Sequence, residues 1–237
     1  SSDLAVMARM TYLRALTVDV LESGALAHLA SLTGLGTLTM RADSADAAAE
    51  AMALPQLVNL RLIGEITDAR VLEGHRALKN LDLSRTALTN ARLLPQMWLQ
   101  TLQLPTVGSL GWYASRARVR ELSIVVSGAN LSDLDHIVTI QGLQKLQVIV
   151  HDVDIDLRIP EGLVELQLRK AESVNIRSDS RPDALNSLLL DGVQTMNDPA
   201  WLLGAGRLRE LTLVDCAAAV VDKIAGLSLP SVRLAVH

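Results

Sequence analysis

The chain has 237 residues and is 49% hydrophobic, which is enough for a sizeable core. Its net charge of −4 makes no electrostatic case for nucleic acid or an anionic membrane, and no apolar run is long enough to span a bilayer. Phe is absent and aromatic residues are 2% of the chain, so the core must be built from Leu, Val, Ile and Ala; the lone Cys216 cannot close an internal disulfide.

One pattern recurs from end to end: an aliphatic residue, two others, an aliphatic, one other, an aliphatic. It starts at Leu13, Leu35, Leu57, Leu78, Leu99, Val119, Leu143, Leu163, Leu185, Leu208 and Leu229, at spacings of 20 to 24 residues. Single matches arise by chance in a Leu-rich chain, but eleven at near-constant spacing do not. The end of each motif alternates apolar and polar residues, which predicts a short strand. About 21 residues then return the chain to the next strand, so successive strands stack in parallel about 4.8 Å apart. Parallel sheets covered on both faces read as continuous apolar runs, whereas these strands interleave Arg61, Asp82, Gln103, Ser123, Gln147, Gln167 and Thr212. One face of the sheet is therefore predicted to be open.

Twelve residues precede the first motif, and Leu4, Val6, Met7 and Met10 among them read as a poor cap or as the tail of a preceding helix. Residues 42–53, "ADSADAAAEAMA", predict an Ala-rich helix on the convex side. Thr89-Asn90, Ser132-Asp133 and Asn197-Asp198 suit the starts of short helical or 3₁₀ turns, each followed by aliphatics that dock on the core. Trp98, Trp112, Tyr113 and Trp201 fall in return segments and are expected to lie in the convex-side core. Residues 149–159 carry Asp152, Asp154 and Asp156 at alternate positions, which puts three carboxylates on one face if the stretch is extended. The stretch lacks the Gly and terminal Glu of a calcium loop, and a solvated turn is the preferred reading. The last motif, Leu229 to Leu234, ends three residues before the chain does, so neither end shows a recognisable cap. A start without Met or a basic-plus-apolar leader adds to the expectation of a piece of a longer chain with an upstream domain.

The stretch "LKNLDLSRTALTNARLL", beginning at Leu78, resembles the leucine-rich repeats of about 22 residues found in bacterial internalins. The resemblance implies an α/β solenoid: a horseshoe of about eleven coils with a parallel sheet on its concave face and short helical or 3₁₀ turns on its convex face. The chain departs from the family pattern at the slot three residues after each strand motif, where family members place an Asn or Cys whose side chain bonds neighbouring backbones. Here the slot holds Leu21, Asp43, Glu65, Thr86, Val107, Ser127, His151, Ala171, Val193, Cys216 and His237. Only Cys216 matches, so the backbone groups at this corner must find other partners and the coils should be irregular.

No catalytic pattern stands out: there is no G-x-S-x-G, Walker loop, H-E-x-x-H or C-x-x-C. His28, His75, His136, His151 and His237 occupy unrelated positions in different repeats and read as surface or convex-side residues. Cys216 reads as a small buried hydrophobe, and "NLS" at 130–132 is a chance-level glycosylation sequon. No cofactor or metal is expected.

The motif does predict a recognition surface. Arg41, Arg61, Asp82, Gln103, Ser123, Gln147, Gln167, Leu189 and Thr212 project from the concave strands. From the sixth repeat onward Val125, Ile149, Leu189 and Val214 add exposed aliphatics beside Glu121, Glu165 and Glu210. Eleven strands give a wall roughly 50 Å long, suited to a protein or extended peptide. The sequence thus points to a non-enzymatic protein-recognition domain with no nucleic-acid or membrane partner. Bacterial Nod-like signalling NTPases, which act in innate immunity and antiphage defence, carry such repeats as a C-terminal sensor arm, and that resemblance implies a cytoplasmic sensor. A secreted or surface adhesin or effector of the internalin type is the alternative.

Overall fold

Each repeat motif supplies one parallel strand, because its aliphatic residues share a side and bury against the return segment. A computed structural model describes residues 9–19, 25–128, 131–151, 153–177, 182–227, 229 and 232–237. The chain divides into two compact units, Ser1–Val107 and Gly108–His237. The first contains strands β1 (Ala15–Val18), β2 (Thr37–Arg41), β3 (Asn59–Gly64), β4 (Asn80–Thr86) and β5 (Trp98–Gln103). The second contains β6 (Arg118–Val126), β7 (Lys145–Val150), β8 (Asp154–Leu157), β9 (Glu165–Arg169), β10 (Ser173–Ile176), β11 (Ser187–Asp191), β12 (Thr195–Met196), β13 (Glu210–Val214) and β14 (Arg233–Val236).

In the first unit β1 to β5 pair in parallel in chain order, with Leu38, Leu60, Leu81 and Leu102 in register and buried. In the second unit the repeat strands run β6-β7-β9-β11-β13-β14, with Leu122, Leu146, Leu166, Leu188 and Leu211 in register and buried. The eleven repeat strands and the short turns opposite them make each unit a stack of coils. The last pair is offset from the motif: Glu210 faces Arg233 and Leu211 faces Leu234, two residues beyond the register that Leu229 implies. A two-residue slip keeps the same side chains on the core face, so the pleat does not forbid it.

Backbone bonds link the coils on the side where the chain enters each strand. In seven of the motifs the carbonyl of the residue after the first aliphatic accepts two amides from the next coil. Arg14 O takes Gly36 N (3.0 Å) and Thr37 N (3.1 Å), and Gly36 O takes Val58 N and Asn59 N (both 2.9 Å). The pattern continues at Val58 and Lys79 in the first unit and at Gln144, Val164 and Asn186 in the second.

The opposite corner, where the Asn or Cys slot falls, is also closed by backbone. Lys170 N donates to Asp191 O (2.7 Å), Gly192 N to Val214 O (2.8 Å) and Asp215 N to His237 O (3.2 Å). The three donors have φ of 60°, 69° and 49°. This left-handed turn aims each amide along the stack and makes the side-chain ladder unnecessary. The residue in the slot then supplies a carbonyl: Ala171 O accepts Gln194 N (3.1 Å) and Val193 O accepts Ala217 N (3.0 Å). Cys216 is half-buried, its Sγ 3.4 Å from the carbonyls of Leu190 and Val214.

Three return segments of the second unit carry strands. β8, β10 and β12 form a second parallel sheet, with Val174 matched to Ile155 on one side and Met196 on the other, all buried. Residues 154–157 are thus extended rather than a solvated turn, because Ile155 and Leu157 alternate with polar residues and reach the core. Other return segments are helical. Residues 42–53 form the α-helix Ala45–Ala49, capped by Ser44, followed by the 3₁₀ turn Glu50–Ala53. Asn90 and Asp198 cap their turns by accepting Arg92 N and Ala200 N, both at 2.9 Å. Ser132 and Asp133 do not start a turn; they lie inside the 3₁₀ segment Leu131–Thr139. Tyr113 is buried, Trp112 and Trp201 are half-buried, and Trp98 is 66% exposed at the start of β5, not in the core. His75 is buried, its Nε2 3.0 Å from Leu54 O. Asn130 of the sequon, Asp152 and the slot residue Leu21 lie outside the described residues.

Two glycines separate backbone strain from steric strain. Gly64 has φ +112°, and a Cβ there would sit 2.7 Å from Ala42 O; Gly74 has φ +90° with open space around it. Gly64→Ala should destabilise the first unit by about 1–3 kcal/mol and Gly74→Ala by less, read as shifts in urea midpoint. Equal shifts would mean that the contact with Ala42 does not constrain the corner.

Candidate recognition surface

Because the aliphatic residues of each strand face the core, the residues between them line the open face. In the first unit this face holds a shallow depression of about 120 Å³ lined by Thr37, Thr39, Asn59, Arg61, Asn80, Asp82, Thr101 and Gln103, together with three leucines. Equal offsets in consecutive coils bring these side chains side by side. Asn80 Nδ2 donates to Asn59 Oδ1 (2.5 Å), and Asn59 Nδ2 donates to Thr37 Oγ1 (2.9 Å). Asp82 Oδ1 accepts both the Ser84 amide (2.9 Å) and its hydroxyl (2.6 Å). This fixes the carboxylate and turns Oδ2 toward Arg61 Nε at 3.2 Å. The Nε atom is buried and lacks the alignment of a hydrogen bond, so the pair is held by charge.

The second unit repeats the principle with longer side chains. Ser123 Oγ donates to Gln147 Oε1 (2.9 Å), Gln147 Nε2 to Gln167 Oε1 (3.0 Å) and Gln167 Nε2 to Glu165 Oε1 (2.6 Å). Lys145 Nζ lies 2.9 Å from Glu165 Oε1. Leu189 and Thr212 continue the Gln167 row without polar partners of this kind, both half-buried.

The structure thus gathers Arg61, Asp82 and Gln103 in the depression and Ser123, Gln147 and Gln167 in one bonded row. Arg41 lies outside the depression, at the exposed end of β2, paired with Asp19 (3.2 Å). Asn59, Asn80 and Ser84, which count as outward positions in the columns flanking Arg61 and Asp82, hold this arrangement together.

Nothing in the described residues gathers three or more His, Cys, Asp or Glu as metal ligands. Asp156 accepts Asn175 Nδ2 (3.0 Å) and Arg177 Nε (3.0 Å), and Arg177 also reaches Asp135 (2.9 Å). No described helix is long and apolar enough to cross a membrane. The Arg70 side-chain hydrogen bond draws the Asp68 pKa below its usual value, a local effect in one return segment.

No protein-family model matches this sequence, and no curated protein does. Among solved structures, the internalin InlF from Listeria monocytogenes strain 4b F2365 superposes with a TM-score of 0.55 at 17% identity, covering 98% of this chain and 76% of that one. The TLR13–ssRNA13 complex gives 0.51 at 18% identity, covering 88% of this chain and 34% of that one. These likenesses show the fold: the chain is built as a leucine-rich repeat domain.

Two measurements check this description. If the Asn ladder is cooperative, a double-mutant cycle of Asn59→Ala and Asn80→Ala in urea should give a coupling of about 0.5–1.5 kcal/mol; additivity would show that the amides do not act together. Burial pushes the Tyr113 phenol well above its ordinary value of 10.0. Its stabilising effect is present below that value and is lost as pH rises toward the folded-state value. In a Tyr12→Phe background, which leaves Tyr113 as the only tyrosine, phenolate absorbance should appear together with alkaline unfolding. Ionisation before unfolding would contradict the burial.

Proposed function

We propose that this chain is a non-catalytic recognition module that binds a protein or extended peptide across the open faces of its repeat strands. The observation that carries the reading is the pre-bonded polar surface, in which Asn59–Asn80 and Ser123–Gln147–Gln167 are fixed before any partner arrives. Side chains already held in one conformation lose little entropy on binding. The finer form of the proposal is a sensor domain in a larger bacterial signalling or defence protein, of the Nod-like NTPase kind, acting in the cytoplasm. Its support is the Ala-, Leu- and Arg-rich, Phe-free composition read with the repeat pattern. A surface or secreted role is the second reading, favoured by the likeness to an internalin over 98% of this chain.

The test is a capture experiment from lysate of the source organism with two matched baits, the parent and Arg61→Glu/Gln103→Arg/Gln147→Arg. A protein held by the parent and lost by the variant supports the reading. A protein held equally by both, or a captured RNA in place of a protein, overturns it, as does capture of nothing by either bait. A leader or cell-wall anchor encoded in the full gene would select the surface role, and an upstream NTPase the sensor role.

A further inference from the structure

The net charge of −4, which argued against an anionic membrane, conceals an uneven distribution. In the first unit the chain enters its repeat strands through residues 9–15, 31–37, 53–59, 74–80 and 95–101, each running from four residues before the motif's first aliphatic to two after it. These segments contain Arg9, Arg14, Arg76 and Lys79 and no Asp or Glu, although the chain has 26 acidic and 22 basic residues. The corresponding segments of the second unit do carry acids, at Glu121, Glu161, Glu165, Asp183 and Glu210. The acid-free side is thus particular to the first unit.

All four cations are exposed, and among the described residues none has a carboxylate within ion-pair distance. Arg14 Nη1 donates to Thr11 O (3.4 Å), and its guanidinium lies along the next coil, in the space that a Cβ on Gly34 would occupy. The acids that flank these segments are engaged elsewhere: Asp19 meets Arg41, Asp82 meets Arg61, Glu50 accepts Leu26 N (3.2 Å), and the charge of Glu73 acts on Arg70. Arg14, Val58 and Lys79 hold the clamped carbonyls of their coils, so they recur along one side of the stack, Arg14 and Lys79 about 14 Å apart. Among the described residues, the exposed large apolar side chains of the first unit gather on the same side. Tyr12, 74% exposed, and Trp98 each directly precede a first aliphatic, Val58 directly follows one, and Met52 sits in the 3₁₀ turn that leads to it.

We infer that this entry side of the first unit, with Tyr12, Arg14, Val58, Arg76 and Lys79, is a docking surface for an anionic lipid bilayer. Cations without counter-ions gain by facing a sheet of anionic headgroups. Exposed aromatic and aliphatic side chains set among them gain by burial at the headgroup boundary. An acidic peptide or a phosphate backbone would use the cations and leave the exposure of Val58 and Met52 without a role. The contact is peripheral, since no described helix is long and apolar enough to cross a membrane. The inference goes beyond the proposed function and does not depend on it.

The test is co-sedimentation of the chain with vesicles of phosphatidylcholine, alone or mixed in equal parts with phosphatidylglycerol, at low and moderate salt. Binding to the mixed vesicles is expected, weakening as salt rises, with none to phosphatidylcholine alone. Arg14→Glu/Arg76→Glu/Lys79→Glu should weaken it by about tenfold or more, and Tyr12→Ser/Val58→Ser by a smaller factor. The changed side chains are exposed, so both variants should keep the parent's urea midpoint. Arg14→Lys/Arg76→Lys, the folding control, should bind like the parent, because a bilayer reads charge rather than the guanidinium fork. The wall variant Arg61→Glu/Gln103→Arg/Gln147→Arg should also bind like the parent. Absence of binding to the mixed vesicles, undiminished binding by the charge-reversed variant, or loss in the wall variant would each overturn the inference. So would tighter binding of a single-stranded oligodeoxynucleotide or an oligo-glutamate peptide than of the mixed vesicles. None of these results would decide the wall reading, which stands or falls on the capture experiment.

Discussion

The two-amide acceptance by one carbonyl per coil is the constraint on which the rest depends. Arg14, Gly36, Val58 and Lys79 supply these carbonyls in the first unit, and Gln144, Val164 and Asn186 in the second. Each is clamped by two successive amides of the next coil, which sets both the rise and the rotation between neighbours. The bond belongs to the backbone, so the side chain at the position is free to vary from glycine to lysine. The return segment is equally free: spacings from 20 to 23 residues deliver the chain to the same clamp. Leu38, Leu60, Leu81 and Leu102 then stack because their strands have already been aligned, and burial of that column supplies the main driving force.

This constraint explains what the sequence made legible. The strand positions followed from the aliphatic spacing, since each motif must bury the same two or three side chains. Asn90 and Asp198 were legible as caps because a short oxygen-bearing side chain before a helical turn has a specific donor to satisfy. The corner was less legible. The missing Asn or Cys ladder was visible, but its replacement by left-handed backbone at Lys170 and Asp215 was not, since neither residue type announces a positive φ. The second sheet had a signal, the alternation in Asp154-Ile-Asp-Leu157 and Ser173-Val-Asn-Ile176, yet four residues in a return segment read equally well as a turn. Trp98 was misplaced because it directly precedes the motif's first aliphatic, where the strand has begun but its outer side chain no longer meets the core. Ser132 and Asp133 have the chemistry of a cap but fall one residue too late.

For the candidate surface, the positions were legible and the bonds between them were not. Counting from each motif gives Arg61, Asp82, Gln103, Gln147 and Gln167 as outward residues, and their half-buried state follows from a sheet with one open face. What a count cannot give is direction. The chain Asn80 to Asn59 to Thr37 runs toward the start of the stack, whereas Ser123 to Gln147 to Gln167 runs away from it. Direction depends on which amide end meets which oxygen: the Glu165 carboxylate can only accept, so Gln167 donates to it and in turn accepts from Gln147.

A surface whose polar groups already satisfy one another recognises a partner differently from one that presents free charge. Arg61–Asp82, Lys145–Glu165 and Arg169–Asp191 are paired across coils, so a ligand gains little by offering a counter-charge to either member. Separating such a pair leaves one charge half-buried beside apolar strand atoms, which is costly. If a partner docks on this face, as proposed, it is therefore selected mainly for fitting the existing lattice. It must place acceptors near the outward hydrogens of Asn59 and Asn80, or of Gln147 and Gln167, and set apolar atoms on Val125, Ile149 and Leu189. Because the lattice repeats with the strand spacing of about 4.8 Å, a ligand that follows the stack meets the same chemistry at regular intervals. Discrimination then rests on the positions where the repeat is interrupted: the Arg61–Asp82 pair among the amides of the first unit, and Leu189 at the end of the glutamine row in the second.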